Sequence, residues 1–184
     1  LIVNTPQQTF RAALGQFFVK ETSTENLAAA RSLIERSETA GADLLVLPEC
    51  IIARKLGMPE WGQKQAEPLD GPFVSGLREA TRGRRVTVVC TVQAKIANES
   101  RYANDLLVIQ NGELRLTYQK IHLYDAFRGK ESSYAAPGDV LPQVLQIGPF
   151  KVGFLTCYDV RFPEMTRALV CAGATLLVVS AAWV

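Results

Sequence analysis

Histidine is nearly absent from the sequence, with His122 the only one in 184 residues. A zinc site needs several nitrogen or thiolate ligands at short, regular spacing. One histidine and four scattered cysteines, Cys50, Cys90, Cys157 and Cys171, supply no such cluster, so neither a metal nor another cofactor is expected. The cysteines also lack CxxC spacing and the density of a disulfide scaffold, and they read as free thiols. An excess of one charge is missing too. With 20 basic against 18 acidic residues, a net +2, and no basic run, nothing calls for a nucleic-acid partner. Long apolar runs are lacking as well: the longest, 172–184, is too short to span a bilayer and reads as a buried strand. Residues 1–3, followed by Asn4 and Pro6, have neither the positive flank nor the small-residue cleavage site of a signal peptide. The expectation is a cytoplasmic protein without a membrane partner.

What is present is the composition of a globular chain, 48% hydrophobic and 21% charged, at a length suited to one domain over 1–184 behind a turn-prone tail at 1–10. Residues 11–17 predict a first strand, and Thr22 with Glu25 predicts a capping box opening a helix that ends near Gly41. The run 43–47 (DLLVL), closed by Pro48, has the continuous apolar pattern of a strand buried on both faces. Residues 53–71 carry three glycines and two prolines and read as loop, and 72–83 as a helix opened by proline. A buried strand is expected at 85–93. Residues 102–109 and 113–119, joined by Asn111 and Gly112, predict a hairpin whose turn needs positive φ. A long irregular segment, 122–140, suggests a functional connection. Strand 151–156, helix 163–171 and strand 175–180 complete an α/β layered pattern with helices covering a mixed sheet.

Cys157 stands where a strand hands over to a helix, the placement that exposes a nucleophile at the end of a sheet. A helix N-terminus there is expected to give the thiol thiolate character. The competing reading is an inert buried cysteine. His122 is the one histidine able to act as a base, and a hydrogen-bonded structural role suits it at least as well. Glu49 follows an apolar strand and Pro48, so its carboxylate emerges at a strand's carboxyl end, the usual ligand side of an open α/β sheet. Lys120 closes the second hairpin strand and points toward the same mouth. Gly129 and Lys130 do not form a phosphate loop, because Tyr124 stands where its first glycine belongs.

Three segments taken together carry a resemblance: Leu47-Pro48-Glu49; Tyr118-Gln119-Lys120-Ile121-His122-Leu123; and the run from Leu155 through Cys157 to Glu164. In that order they resemble the signature segments of the nitrilase superfamily of carbon-nitrogen hydrolases, over nearly the whole chain from Arg11. The resemblance implies an α-β-β-α sandwich, part of whose C-terminal half is expected to be missing after Val184. It implies a Glu49–Lys120–Cys157 triad, with a further glutamate at Glu131, that cleaves a small amide through a thioester on Cys157. The backbone N–H of Tyr158 would help hold the oxyanion, and no metal would take part.

The run 120–127 looks most like the branch that hydrolyses deaminated glutathione to 2-oxoglutarate and cysteinylglycine. An ω-amidase acting on 2-oxoglutaramate is the alternative, with carbamoylases and nitrilases behind it. For an acidic 2-oxo substrate, Arg128, Lys130 or Arg161 are candidate cationic clamps, although Arg161 reads more readily as a structural ion-pair partner. A homodimer or higher homo-oligomer is implied. The rival expectation is a catalytically silent, truncated family member.

Overall fold

The protein is described by a computed structural model over residues 9–127 and 129–183. Five strands, β1 (Ala12–Leu14), β2 (Leu44–Val46), β3 (Thr87–Lys95), β4 (Tyr102–Gln110) and β5 (Glu113–Gln119), lie side by side in chain order. The first three run parallel, and β3, β4 and β5 are antiparallel. A two-residue strand, β6 (Ala135–Ala136), pairs with Tyr102 and Ala103, on the stretch of β4 beyond the last β5 pair at Asp105. A second sheet has the order β7 (Leu145–Ile147), β8 (Phe150–Thr156), β9 (Leu176–Ser180).

Strand alternation explains how the layers form. Along β3 and β4, Val88, Cys90, Val92, Leu107 and Ile109 face α1 (Ser23–Thr39) and α3 (Pro72–Thr81), meeting Ala30, Ile34, Phe73 and Leu77. The alternate residues Val89, Leu106 and Val108 meet Val152, Phe154 and Val178 of the second sheet. The second sheet is backed by Met165 and Leu169 of α4 (Pro163–Cys171). Helices, sheet, sheet and helix therefore stack as an α-β-β-α sandwich, and positions 87–94 are all buried because β3 lies between two packed layers.

Asn111 (φ 49°) and Gly112 (φ 78°) make the expected hairpin turn. Other local expectations change. The first strand is shorter than 11–17: after Gly15 donates to Val46, the chain leaves the sheet so that Phe17 and Val19 can cover the helix-side core. No side chain caps α1, because the Thr22 hydroxyl donates to the Glu25 carboxylate at 2.6 Å instead of accepting a helix N–H. The stretch 53–71 holds a short helix, α2 (Trp61–Gln65). Among its described residues, segment 122–140 is irregular except for a 3-10 turn at Glu131–Ser133 and β6, whose pairing with β4 carries Glu131 back over the sheet.

Candidate active site

The carboxyl ends of β2, β8 and β9 meet where the two sheets are tied together. Ser180 Oγ donates to the Leu47 carbonyl at 2.8 Å, and the Glu49 N–H donates to the Ala181 carbonyl at 3.3 Å. Past Pro48 the chain turns sharply at Cys50 (φ 56°), and two polar side chains of β3 hold that turn. Thr91 Oγ1 accepts the Cys50 N–H at 2.7 Å, while Gln93 accepts the Ile52 N–H and donates to the carbonyls of Cys50 and Ala53. This clamp fixes the direction of Glu49.

Glu49, Lys120 and Glu131, far apart in sequence, converge into one buried cluster. Lys120, 1% exposed, donates to Glu49 Oε1 at 2.9 Å and to Glu131 Oε1 and Oε2 at 3.1 and 2.9 Å. Buried charges survive only when their remaining lone pairs are also satisfied. Here the Ala182 N–H reaches Glu49 Oε2 at 3.1 Å, and the Tyr124 N–H reaches Glu131 Oε2 at 2.7 Å. Burial works against the Lys120 charge, but Glu49 and Glu131 outweigh it and raise its pKa, so the ammonium is fixed.

Asn104 on β4 was not singled out in the sequence. Its Nδ2 donates to Glu49 Oε1 at 2.9 Å and to Glu131 Oε1 at 3.3 Å. Its sequence signal is slight: a polar side chain on the inter-sheet face of a strand whose next two inward residues are Leu106 and Val108.

Cys157 opens a five-residue 3-10 turn, Cys157–Arg161, between β8 and α4, with φ 45°. A non-glycine residue at positive φ is uncommon and is found where a fold directs a side chain at a cost. The turn is held by Asp159, fully buried, which accepts from Thr156 N, Tyr118 Oη and His122 N at 3.0, 2.9 and 3.0 Å. The expected thiolate character is not found. Burial and the nearby Glu49 carboxylate push the Cys157 thiol up to about 12, against an opposing pull from Lys120. A short 3-10 turn offers little dipole to offset that desolvation. His122 plays the structural part: its Nδ1 lies 2.9 Å from Asp159 Oδ1 and its ring stacks on Phe162 at 3.6 Å.

Glu49, Lys120, Glu131, Cys157 and Tyr158 all line one cavity of about 940 Å³. Arg161 lines it as well, but its guanidinium lies over the Trp183 ring at 5.3 Å, and no ion pair of Arg161 exists among the described residues. Lys130 is exposed and does not line the cavity. Arg128 lies outside the described residues. Among the described residues no group of acidic, histidine or cysteine side chains could hold a metal ion.

The carbon-nitrogen hydrolase family profile matches residues 11–184. The chain belongs to the carbon-nitrogen hydrolase family. It is 36% identical over 172 residues to deaminated glutathione amidase from Escherichia coli O157:H7, covering 94% of this chain and 65% of that protein. It is 30% identical to omega-amidase NIT2 of Xenopus tropicalis, covering 92% of this chain and 62% of that one. Among solved structures, an amidase variant from Nesterenkonia sp. AN1, with acrylamide added to its active-site cysteine, superposes with a TM-score of 0.82 at 29% identity, over 94% of this chain and 67% of that chain. The carbon-nitrogen hydrolase chain thus spans somewhat under two thirds of the length of the two curated relatives.

Proposed function

We propose that the protein hydrolyses a small amide with Cys157 as nucleophile. One observation carries this: a carboxylate and a fixed ammonium, Glu49 and Lys120, are hydrogen-bonded to each other in the cavity that Cys157 also lines. Because the resting thiol is held protonated, it needs a base. Glu49 takes the Sγ proton as the sulfur–carbon bond forms. Lys120 and the Tyr158 N–H stabilise the oxyanion. Glu49 then returns the proton to the leaving nitrogen as the carbon–nitrogen bond breaks, leaving a thioester. Water, deprotonated by Glu49, attacks the thioester and releases the acid and the free thiol. Glu131 holds Lys120 in place, and no metal takes part.

For the substrate we favour deaminated glutathione, giving 2-oxoglutarate and cysteinylglycine, with 2-oxoglutaramate as the alternative. Support comes from the relatives named above and from charge. The carboxylates lining the cavity among the described residues, Glu49 and Glu131, are both bound to Lys120, whereas Arg54, Lys55 and Arg161 also line it. Lys55 is paired to Glu21 at 2.8 Å, but Arg54 has no ion pair among the described residues and remains available to an anionic group. Measuring kcat/KM for the two 2-oxo amides side by side tests this choice, with the larger value expected for deaminated glutathione. A preference for 2-oxoglutaramate would move the protein to the ω-amidases, and no turnover of either would refute both assignments.

A further inference from the structure

Asn104 occupies a place that an apolar side chain would fill at lower cost. It lies fully buried on the inter-sheet face of β4, and its Oδ1 has no hydrogen-bond partner among the described residues. An orphaned buried acceptor weakens a fold, so its presence asks for a compensating role. The rest of the residue is fully engaged with the charged cluster. Nδ2 spends its donors on Glu49 Oε1 and Glu131 Oε1, and the main-chain carbonyl accepts the Lys120 N–H at 2.9 Å. The side chain therefore bridges the two carboxylates, and the main chain holds the backbone of Lys120. The amide cannot turn over to satisfy its oxygen, since that would set a carbonyl oxygen against two carboxylates.

We propose that Asn104 is a positioning residue that selects which oxygen of Glu49 serves as the base, an inference that rests on the amidase function proposed above. Glu49 Oε1 accepts from both Lys120 and Asn104 and is saturated in the plane of the carboxylate. Oε2 accepts only the Ala182 N–H among the described residues and is the oxygen left to meet the Cys157 thiol. The Sγ proton moves to Oε2 and from there to the leaving nitrogen, while Oε1 stays fixed by its two donors.

Beside Lys120, Asn104 supplies the two carboxylates with a shared side-chain donor. The other ionisable groups around Glu49 are Cys157 on the turn after β8, Cys50 beside it in the chain, and Tyr102 on β4, whose hydroxyl lies 4.0 Å from Cys50 Sγ. Arg54 lies beyond, within electrostatic reach of Cys50. Asp105 follows Asn104 on β4 and projects from the opposite face of the strand.

Asn104→Ser removes the amide without adding charge, and Asn104→Asp keeps its shape. For a folded Asn104→Ser, kcat is expected to fall at least ~tenfold with KM within ~twofold, because positioning is lost and binding is not. Asn104→Asp should be active while its carboxyl is protonated and able to donate, losing activity as the pH rises. A folded Asn104→Ser with unchanged kcat, or a folded Asn104→Asp whose activity does not fall as the pH rises, would overturn the proposal. So would the unfolding of both variants by circular dichroism, which would make the residue a support of the fold. A wild-type protein that neither turns over an amide nor gains an acrylamide adduct on Cys157 would instead sink the underlying function.

Discussion

In the proposed mechanism Cys157 and Glu49 form a pair in which neither side chain suffices alone. A thiol in the half-buried Cys157 position is pushed up to about 12 by burial first and by Glu49 second, so at neutral pH the resting site holds a thiol beside a carboxylate. An unperturbed cysteine titrates near ~8.5. The rate of Cys157 alkylation by iodoacetamide should therefore keep rising with pH through about pH 9.5, where an ordinary thiol has levelled off. A plateau near pH 7, followed by mass spectrometry of the modified peptide, would show a thiolate already formed and contradict the electrostatics described here. Cys90 is buried in the helix-side core, where desolvation holds it at about 12 with no base beside it, and it should stay unmodified in the folded protein.

At the scale of elements, β4 carries opposite demands on its two faces. Asn104 faces the cluster, and Asp105, next along the strand, faces the helix side with its carboxyl raised by burial from 3.8 to about 6. A carboxyl whose folded pKa is raised contributes its full stability below the unfolded value, and that contribution is lost as the pH climbs through the folded one. Between about pH 4 and pH 6 the unfolded chain ionises at Asp105 before the folded one does, a loss on the order of 3 kcal/mol at ~1.4 kcal/mol per pH unit. Asn replaces the carboxyl without an ionisation. Urea unfolding of Asp105→Asn at pH 4 and pH 7 should show the variant gaining on the wild type at pH 7 and not at pH 4; an equal difference at both would contradict it.

The same elements explain what was legible in the sequence. β3 and the Asn111–Gly112 hairpin could be read because their signals are local: a continuous apolar run, and two residues tolerant of positive φ. Glu49, Lys120 and Cys157 could be singled out because each follows a strand within a recognisable segment, and Glu131 only through the family resemblance of the loop after Lys120, anchored by Ser132 and Pro137-Gly138-Asp139. Asn104 could not, since its importance lies in contacts with residues 27 and 55 positions away. The thiolate expectation failed for a related reason. The pattern marks a strand-to-helix junction, but it does not reveal that a 3-10 turn intervenes or how deeply the thiol is buried. Gly138 is another case. A Cβ there would run into the Gln119 carbonyl oxygen beside Lys120, a constraint between segments that no single stretch displays.

Over the whole molecule, the two sheets bring together residues that neither could hold alone. Glu49 comes from the end of β2 and Lys120 from beyond β5 in the first sheet, while Cys157 and Ala182 follow strands of the second. The inter-sheet core is thus also what sets the separation of Glu49 and Cys157. Leu56 and Phe127, both lining the cavity and at least 94% exposed, extend an apolar rim around this charged centre. This charged floor, with cations on the wall and an apolar rim, fits the small anionic amide proposed as substrate. Whether such an amide acylates Cys157 is read most simply by intact-mass spectrometry of the protein quenched during turnover. The expected result is a mass increase equal to the acyl part of the substrate, mapped to Cys157 and absent from Cys157→Ala. Turnover with no adduct on Cys157, or undiminished turnover by Cys157→Ala, would contradict it.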